Sequence, residues 1–305
     1  MTNIENWSFE PSNNVNSPVQ KSIPKPLIHG RLTVSLWKLT DADVLIFYTL
    51  ALFTVGGVER FFGAYSRSMQ TAVNSLFEVN AGELLAFIAV CSVLRSKTRD
   101  AVLTRLDFVI ISLCSMLFLV PKASPVFAGA SIAGFYFWRF REYNPALASA
   151  GQLWLAISFY EAWGRALFKI IAAPVIQIEA FIVAKAGQWI GAGLTLDGIR
   201  IYAPSGWFVF ILEACSSFHN SSLAVLIWLS LIKLAQAKVT STKLLALGVG
   251  IVTIICLNVT RILLMTPSEE AYHFWHDDTG ATIFSCLTLG AITIPTVLSL
   301  RLRHS

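Results

Sequence analysis

Long apolar runs separated by short polar or basic connections dominate the chain from about residue 44 onward. Several runs are shorter than the roughly 20 residues that a helix needs to cross a bilayer, so flanking residues must contribute or the bilayer must thin. The pattern predicts an all-α polytopic membrane protein with about eight transmembrane helices. The predicted spans are 44–58, 82–94, 108–120, 124–138, 146–163, 216–232, 244–264 and 280–300.

Composition supports this class and excludes others. The 305 residues are 55% hydrophobic and only 13% charged, with a mean hydropathy of +0.64, which is too apolar for a soluble domain of this size. The net charge of +5 is modest, and the basic residues fall between the apolar runs, so no nucleic-acid partner is implied. Residues 1–43 are polar and predict a disordered cytoplasmic tail, not a signal peptide.

Basic residues in the short connections predict the orientation. They cluster before the first span, between the second and third, the fourth and fifth, and the sixth and seventh, and after the eighth. Under the positive-inside rule all five clusters lie on the cytoplasmic side, so both termini of this multi-pass protein are cytoplasmic in the inner or plasma membrane.

The predicted spans divide the chain into three membrane regions. Residues 44–164 hold about five transmembrane helices, residues 165–211 form an extracytoplasmic or interfacial segment, and residues 212–305 form a three-helix region. Within the middle segment we expect one or two interfacial helices and then a two-stranded element turning at Asp197-Gly198. Re-entrant half-spans within 165–190 stay an open alternative.

Three polar residues are predicted to lie at one depth. Cys215 precedes Lys233 by 18 residues and Arg261 follows Lys243 by 18 residues, so each lies about 27 Å from the cytoplasmic edge along its helix. His276 precedes the last span by about one turn. A cysteine, an arginine and a histidine are therefore predicted to lie at the same outer level of the membrane.

These residue types can perform acyl transfer. A thiolate is a nucleophile, a nearby arginine favours the thiolate or binds an oxyanion, and a histidine exchanges protons with the leaving and attacking groups. The bland alternatives are an Arg261 that anchors at the interface and histidines, His273 and His276, that are simply wetted there. Asn258 lies on the same helix face as Arg261, which favours a polar cluster facing protein.

Other residues near this level have structural interpretations. Glu213 is expected to be stabilised by the dipole of the helix that begins near Ser216. Glu179 is expected to be paired or solvated. Asp277 and Asp278 either cap the last helix or orient a histidine, and Gly280 allows close packing. The remaining cysteines lie inside apolar runs and are predicted to be packing residues without a disulfide framework: Cys91, Cys114, Cys256 and Cys286.

At these positions the sequence resembles the exosortase/archaeosortase family of polytopic membrane cysteine transpeptidases, over about residues 146–305. The matching motifs are Glu213-Ala-Cys215-Ser, Asn258-Val-Thr-Arg261, and His276 followed by Gly280 and Phe284 at spacings of four. The third motif selects His276 over His273.

The resemblance implies a mechanism and a substrate class. Cys215 would be the nucleophile, Arg261 would assist the thiolate or oxyanion, and His276 would be the general acid or base, with no metal or organic cofactor. The partners implied are the lipid bilayer and exported proteins with a C-terminal sorting signal of short motif, transmembrane helix and basic tail, which pass through a thioester on Cys215 to an acceptor amine or water.

One departure from the family pattern stands next to the nucleophile. The family usually has glycine and then, after one residue, a basic residue, whereas this chain has Ser217-Phe218-His219. We expect His219, four residues after Cys215, to share its helix face and to supplement the site.

A small-molecule transporter and a non-catalytic scaffold for envelope assembly are the alternative functions.

Overall fold

A computed structural model describes residues 39–65, 81–96, 102–120, 122–277 and 279–301. The predicted tail lies almost wholly outside these ranges, as does Asp278. The described chain forms ten α-helices and three short strands: α1 Asp41–Tyr65, α2 Ala81–Leu94, α3 Arg105–Met116, α4 Ala123–Phe140, α5 Pro145–Ser158, α6 Gly164–Trp189, β1 Thr195–Asp197, β2 Arg200–Tyr202, β3 Phe208–Phe210, α7 Ser217–Leu234, α8 Ser241–Met265, α9 Glu269–Asp277 and α10 Thr279–Arg301.

The helices confirm an all-α polytopic membrane fold. Five are long and apolar enough to cross a membrane: α1, the continuous α5–α6 unit, α7, α8 and α10. Every predicted span lies on a helix, but α2, α3 and α4 are shorter or less apolar than those five. The count of eight spans and the three-part division of the chain therefore stay predictions.

The first four spans pack around Trp154 of α5. Its indole Nε1 donates to Thr49 Oγ1 of α1 at 2.9 Å, and both residues are fully buried. Helices α4 and α5 approach so closely that a Cβ on Gly151 would lie 2.5 Å from the carbonyl oxygen of Gly134. Small residues permit such close packing between membrane helices, where van der Waals contact provides much of the attraction.

A buried ion pair ties the start of α3 to the end of α4. Arg141 Nη2 lies 3.1 Å from Asp107 Oδ2, with side chains 8% and 0% exposed. The Tyr136 hydroxyl donates to the other oxygen of Asp107 at 2.8 Å. Extra hydrogen bonds of this kind are what make a buried ion pair tolerable, because desolvation otherwise opposes it.

The segment after α5 differs from its prediction. Instead of one or two separate interfacial helices, α5 continues through a π-helical turn, Phe159–Trp163, into α6, giving 45 residues of unbroken helix. The sequence predicted interfacial helices because Glu179 interrupts an apolar run, and a charge within such a run is typical of a helix face exposed to water. In the fold that carboxyl is buried against the start of α7.

The predicted hairpin is present and belongs to a larger sheet. Strands β1, β2 and β3 pair antiparallel in that order, so the sheet has three strands where two were expected. The first turn falls just after Asp197, at Gly198, whose φ of +61° suits glycine. Ile201 of β2 pairs with Val209 of β3, and both are buried.

Candidate active site

Cys215 ends a short 3₁₀ turn, Glu213–Cys215, immediately before α7. Its backbone N–H donates to the Leu212 carbonyl at 2.9 Å. Ser216 then takes an extended conformation and caps α7, accepting from the Phe218 N–H at 3.2 Å. Cys215 is 9% exposed and belongs to an apolar cluster that includes Ala180 of α6 and Ile262 of α8. The cysteine is thus held on a rigid turn between several helices.

Asn258 of α8 contacts this turn directly. Its side-chain Nδ2 donates to the Cys215 carbonyl oxygen at 2.8 Å, and the residue is buried. This bond fixes the peptide of Cys215 to α8, one helical turn from Arg261. Asn258 therefore faces protein, on the helix that also carries Arg261.

Arg261 binds the end of α9. Its Nε donates to the Trp275 carbonyl at 3.0 Å and its Nη2 to the His276 carbonyl at 3.2 Å. Carbonyls in the last turn of a helix lack helical partners, and a cation there is favourable. The two bonds use only part of the five N–H donors of a guanidinium. An interfacial anchor role does not fit, because the guanidinium is turned toward protein carbonyls.

His276 is the better placed of the two candidate histidines. Its Nδ1 lies 2.5 Å from Asp277 Oδ1, and its ring stacks on Tyr272 at 4.8 Å with an interplanar angle of 12°. The His276 side chain is 30% exposed against 62% for His273, whose Nδ1 contacts the other oxygen of Asp277 at 3.1 Å. A carboxylate on Nδ1 leaves Nε2 to exchange a proton.

Asp277 therefore orients a histidine, one of the two roles expected of it. Hydrogen bonds from His276 and then His273 hold the pKa of the Asp277 carboxyl below its usual range. The carboxylate therefore keeps its charge, and its contact with His276, through mildly acidic conditions.

Tyr272 also belongs to the site, although no role there was assigned to it from the sequence. Burial raises the pKa of its hydroxyl, and the nearby Cys215 and Asp277 add to the rise. Its ring contacts His276 and also Trp207 of the β2–β3 hairpin, at 6.3 Å. The signal that identifies it is its spacing of four residues from His276 on one helix, which places both rings on one face.

Glu179, expected to be paired or solvated, serves the start of α7. Its Oε1 accepts from the Ser217 N–H at 2.9 Å and from the Ser217 hydroxyl at 2.6 Å. Its Oε2 is buried and has no hydrogen-bond partner among the residues that the structure describes. Glu213, which was expected to act on this helix end, is exposed in the 3₁₀ turn instead. The serine that departs from the family pattern is thus a partner of Glu179.

His219 was predicted to share a helix face with Cys215, and this prediction is wrong. Cys215 precedes α7, which begins at Ser217, so helical spacing does not relate the two residues. The His219 ring lies against Tyr160, at 5.1 Å between centroids, with Nε2 3.3 Å from the tyrosine hydroxyl oxygen. His219 does line a cavity with Asn258 and Arg261, so it lies near the site by another route.

That cavity, of about 420 Å³, lies between α7, α8 and α10 and the start of α2. Polar groups line one part of it, and aliphatic side chains such as Leu223, Ile254 and Ile292 line another. Its only charged or imidazole lining groups, within the described ranges, are Arg261 and His219. Over the same ranges no group of three or more potential metal ligands occurs.

Gly280 permits the sharp corner between α9 and α10. A Cβ there would lie 2.7 Å from the Phe274 carbonyl oxygen and 2.8 Å from the Trp275 Cα. Only glycine fits this approach, which confirms the predicted close packing and keeps α9 within reach of Arg261.

The other four cysteines are all unpaired. They were predicted to be packing residues, but two of them are exposed. Cys114 is buried and Cys91 is half-buried, whereas Cys256 and Cys286 are exposed on α8 and α10. Cys286 also lines the cavity. Exposure on an apolar helix is natural for a chain surrounded by lipid, so apolar sequence context alone did not separate inward from outward positions.

The fold and the site define a polytopic membrane protein in which hydrogen bonds link a buried cysteine, an arginine and a histidine across three chain segments: the turn before α7, α8 and α9. Residues 78–293 match the sequence model of the family described as transmembrane exosortase (Exosortase_EpsH). This is more than two thirds of the chain, so the chain belongs to the transmembrane exosortase family. The match begins well before residue 146, where the motifs alone placed the resemblance. No curated protein and no solved structure matches the chain.

Proposed function

We propose that the protein is a membrane cysteine protease or transpeptidase that cleaves C-terminal sorting signals of exported proteins through a thioester on Cys215. The observation that carries the proposal is the linkage of the Cys215 turn, through Asn258, to the helix that positions Arg261 and His276. Family membership supports the same assignment.

The reaction begins with proton transfer from the Cys215 thiol to His276 Nε2, while Asp277 holds Nδ1. The thiolate attacks the scissile carbonyl carbon, and the oxygen becomes an oxyanion that the remaining N–H donors of Arg261 stabilise. Collapse breaks the C–N bond, His276 returns the proton to the leaving amine, and a thioester remains. An acceptor amine or water then attacks that thioester, giving its proton to His276 and regenerating the thiol.

The substrate class follows from the family and from the level of the site. A C-terminal signal with a short motif, one transmembrane helix and a basic tail presents its cleavage point just outside the bilayer. Cys215 precedes the 18-residue helix α7 and Lys233 lies near its other end, so the thiol and this basic marker are separated by about 27 Å along the helix. With the basic clusters cytoplasmic, the site faces the extracytoplasmic side of the plasma membrane.

The transporter alternative is less well supported. Transport usually employs ionisable groups within the membrane, and the charged or imidazole groups lining the described cavity are only Arg261 and His219. Arg261 is already one of the proposed catalytic residues, and His219 lines the same cavity.

The test is cleavage of a co-expressed C-terminal fragment of an exported protein from the same proteome that carries such a tripartite signal. Cys215→Ala should abolish cleavage, and wild-type protein should yield a hydroxylamine-sensitive acyl adduct whose mass identifies the attached fragment. Cys256→Ala is the matched control, because this cysteine is exposed on α8 and does not line the cavity, and it should cleave normally. Continued processing by Cys215→Ala would refute the proposal.

A further inference from the structure

We propose that the free edge of β3 binds the substrate polypeptide as an added β-strand, which leads its scissile bond to Cys215. This inference rests on the proposed function and adds the conformation in which the substrate is held and the surface that holds it. The surface, here called the β3 edge, consists of the outward main-chain groups of Phe208 and Phe210.

The register of the sheet determines which main-chain groups point outward. The Ala203 N–H donates to the Trp207 carbonyl at 2.8 Å, and the Ile211 N–H donates to the Ile199 carbonyl at 3.1 Å. Antiparallel ladders alternate between bonded and non-bonded pairs. The pairs Tyr202–Phe208 and Arg200–Phe210 are therefore non-bonded, so the N–H and C=O groups of both phenylalanines point away from β2.

These four groups have no other partner within the described part of the chain. No hydrogen bond reaches the main chain of Phe208 or Phe210 from any element there. Phe208 and Phe210 are 39% and 38% exposed, so neighbouring elements leave part of β3 uncovered. An unpaired strand edge is a template for another strand, and main-chain pairing provides affinity for an extended peptide whatever its side chains are.

The β3 edge is joined at both ends to the catalytic groups. After Phe210 only two residues precede the 3₁₀ turn that carries Cys215. At the other end, Trp207 contacts Tyr272, the residue on which His276 stacks, and the Ser205 hydroxyl donates to the Pro267 carbonyl at 3.4 Å. The strand therefore runs between the two elements that carry the nucleophile and the proton carrier.

Distance along the chain limits the register. Cys215 follows Phe210 by five positions, which span at most about 17 Å when extended. A bound strand opposite β3 therefore needs no more than about five further residues to bring a carbonyl to the thiol. Alternate substrate side chains would lie on the sheet face formed by Phe208, Phe210 and Arg200, whose guanidinium lies 4.8 Å from the Phe210 ring. Because strand side chains alternate between faces, every second substrate side chain would be read.

Proline variants at the β3 edge test the main-chain contacts. Proline removes an N–H and is tolerated in an edge strand where that N–H faces outward. We expect Phe210→Pro to cleave the co-expressed fragment at least about fivefold more slowly than Phe210→Ala, since one hydrogen bond contributes about 1 kcal/mol. Phe208→Pro against Phe208→Ala repeats the comparison. Equal rates within both pairs would overturn the proposal.

A substrate-side experiment does not depend on folding of those variants. The same C-terminal fragment is synthesised with a single backbone N-methyl group at successive positions before its cleavage point and is offered to wild-type protein in lipid nanodiscs. Strand addition predicts that N-methylation inhibits at alternate positions. Uniform sensitivity, or none, would overturn it.

Failure of this inference differs from failure of the proposed function. In the Cys215→Ala variant, a photoreactive benzoylphenylalanine in place of Phe208 should crosslink to the uncleaved fragment, whether or not Cys215 is catalytic. If Cys215→Ala abolishes cleavage but no crosslink forms, the β3 edge proposal is wrong and the enzyme assignment stands. If cleavage persists in Cys215→Ala while the crosslink forms, the catalytic assignment is wrong and the peptide-binding surface stands.

Discussion

Replacing Glu179 with alanine should destabilise the start of α7 more than any removal of the Ser217 hydroxyl. Glu179 Oε1 accepts two hydrogen bonds from Ser217, one from the backbone N–H and one from the hydroxyl. Alanine removes both bonds and leaves a buried amide without its acceptor. With about 1 kcal/mol for each lost bond and about 1 kcal/mol or more for the unsatisfied amide, the free energy of unfolding should fall by about 3 kcal/mol.

Two further variants separate the contributions. Glu179→Gln keeps a side-chain oxygen for the Ser217 N–H, so we expect a loss of only about 1 kcal/mol. Ser217→Gly keeps the backbone bond and removes the hydroxyl, with a loss of similar size. Glu179→Gln and Ser217→Gly both affect the Glu179–Ser217 hydrogen bonds. The variant carrying both changes should therefore lose less free energy of unfolding than the sum of the two single losses.

The assay is unfolding by increasing mole fraction of SDS in mixed micelles, followed by the fluorescence of the nine tryptophans. Cleavage should fall in the same order, because the turn carrying Cys215 continues directly into this helix end. Equal losses for Glu179→Ala and Glu179→Gln would refute the reasoning, since the acceptor atom would then contribute nothing. Strict additivity with Ser217→Gly would refute the hydrogen-bond coupling.

Three further predictions concern the elements around the site. Gly280→Ala should reduce cleavage at least tenfold, because the added Cβ would lie 2.7–2.8 Å from the α9 backbone. Gly248→Ala is the control and should cleave normally, because its Cβ would meet nothing within 4 Å. Equal rates for the two variants would contradict the role of the corner between α9 and α10. Arg261→Lys keeps a cation but loses the two-point contact with α9, so its cleavage should also fall at least tenfold, and a wild-type rate would show that charge alone suffices. The lowered pKa of Asp277 means that its carboxylate stays charged beside His276 until pH falls through that lowered value. Asp277→Asn should therefore cleave several-fold more slowly than wild type at neutral pH, and a wild-type rate would show that Asp277 does not orient the histidine.

Much of the site was predictable because depth along a membrane helix is nearly one-dimensional. Counting residues from the basic markers Lys233 and Lys243 placed Cys215 and Arg261 at one level, since each residue advances a helix by about 1.5 Å. The same count holds whichever way a helix is rotated. The turn near Asp197-Gly198 was predictable for a similar reason, because glycine's tolerance of positive φ is a local property.

Rotation of each helix about its axis and contacts between distant segments came only from the tertiary structure. His219 was misassigned because the helix begins after Cys215, so its face is set by where α7 starts and by Tyr160 on another segment. Glu179 was expected to be paired or solvated, and nothing in its own segment indicates that its hydrogen bonds come from Ser217, 38 residues later.

The sequence by itself determined the membrane class and the order of the helices, and it predicted that a cysteine, an arginine and a histidine lie at one level. Only the tertiary structure decided that Arg261 holds the α9 carbonyls, that Tyr272 lies beside His276, and that the outer edge of β3, which precedes Cys215, is unpaired within the described ranges. The physical reason is that hydropathy and rise per residue act along the chain, whereas these contacts depend on how separate segments turn toward one another when they pack.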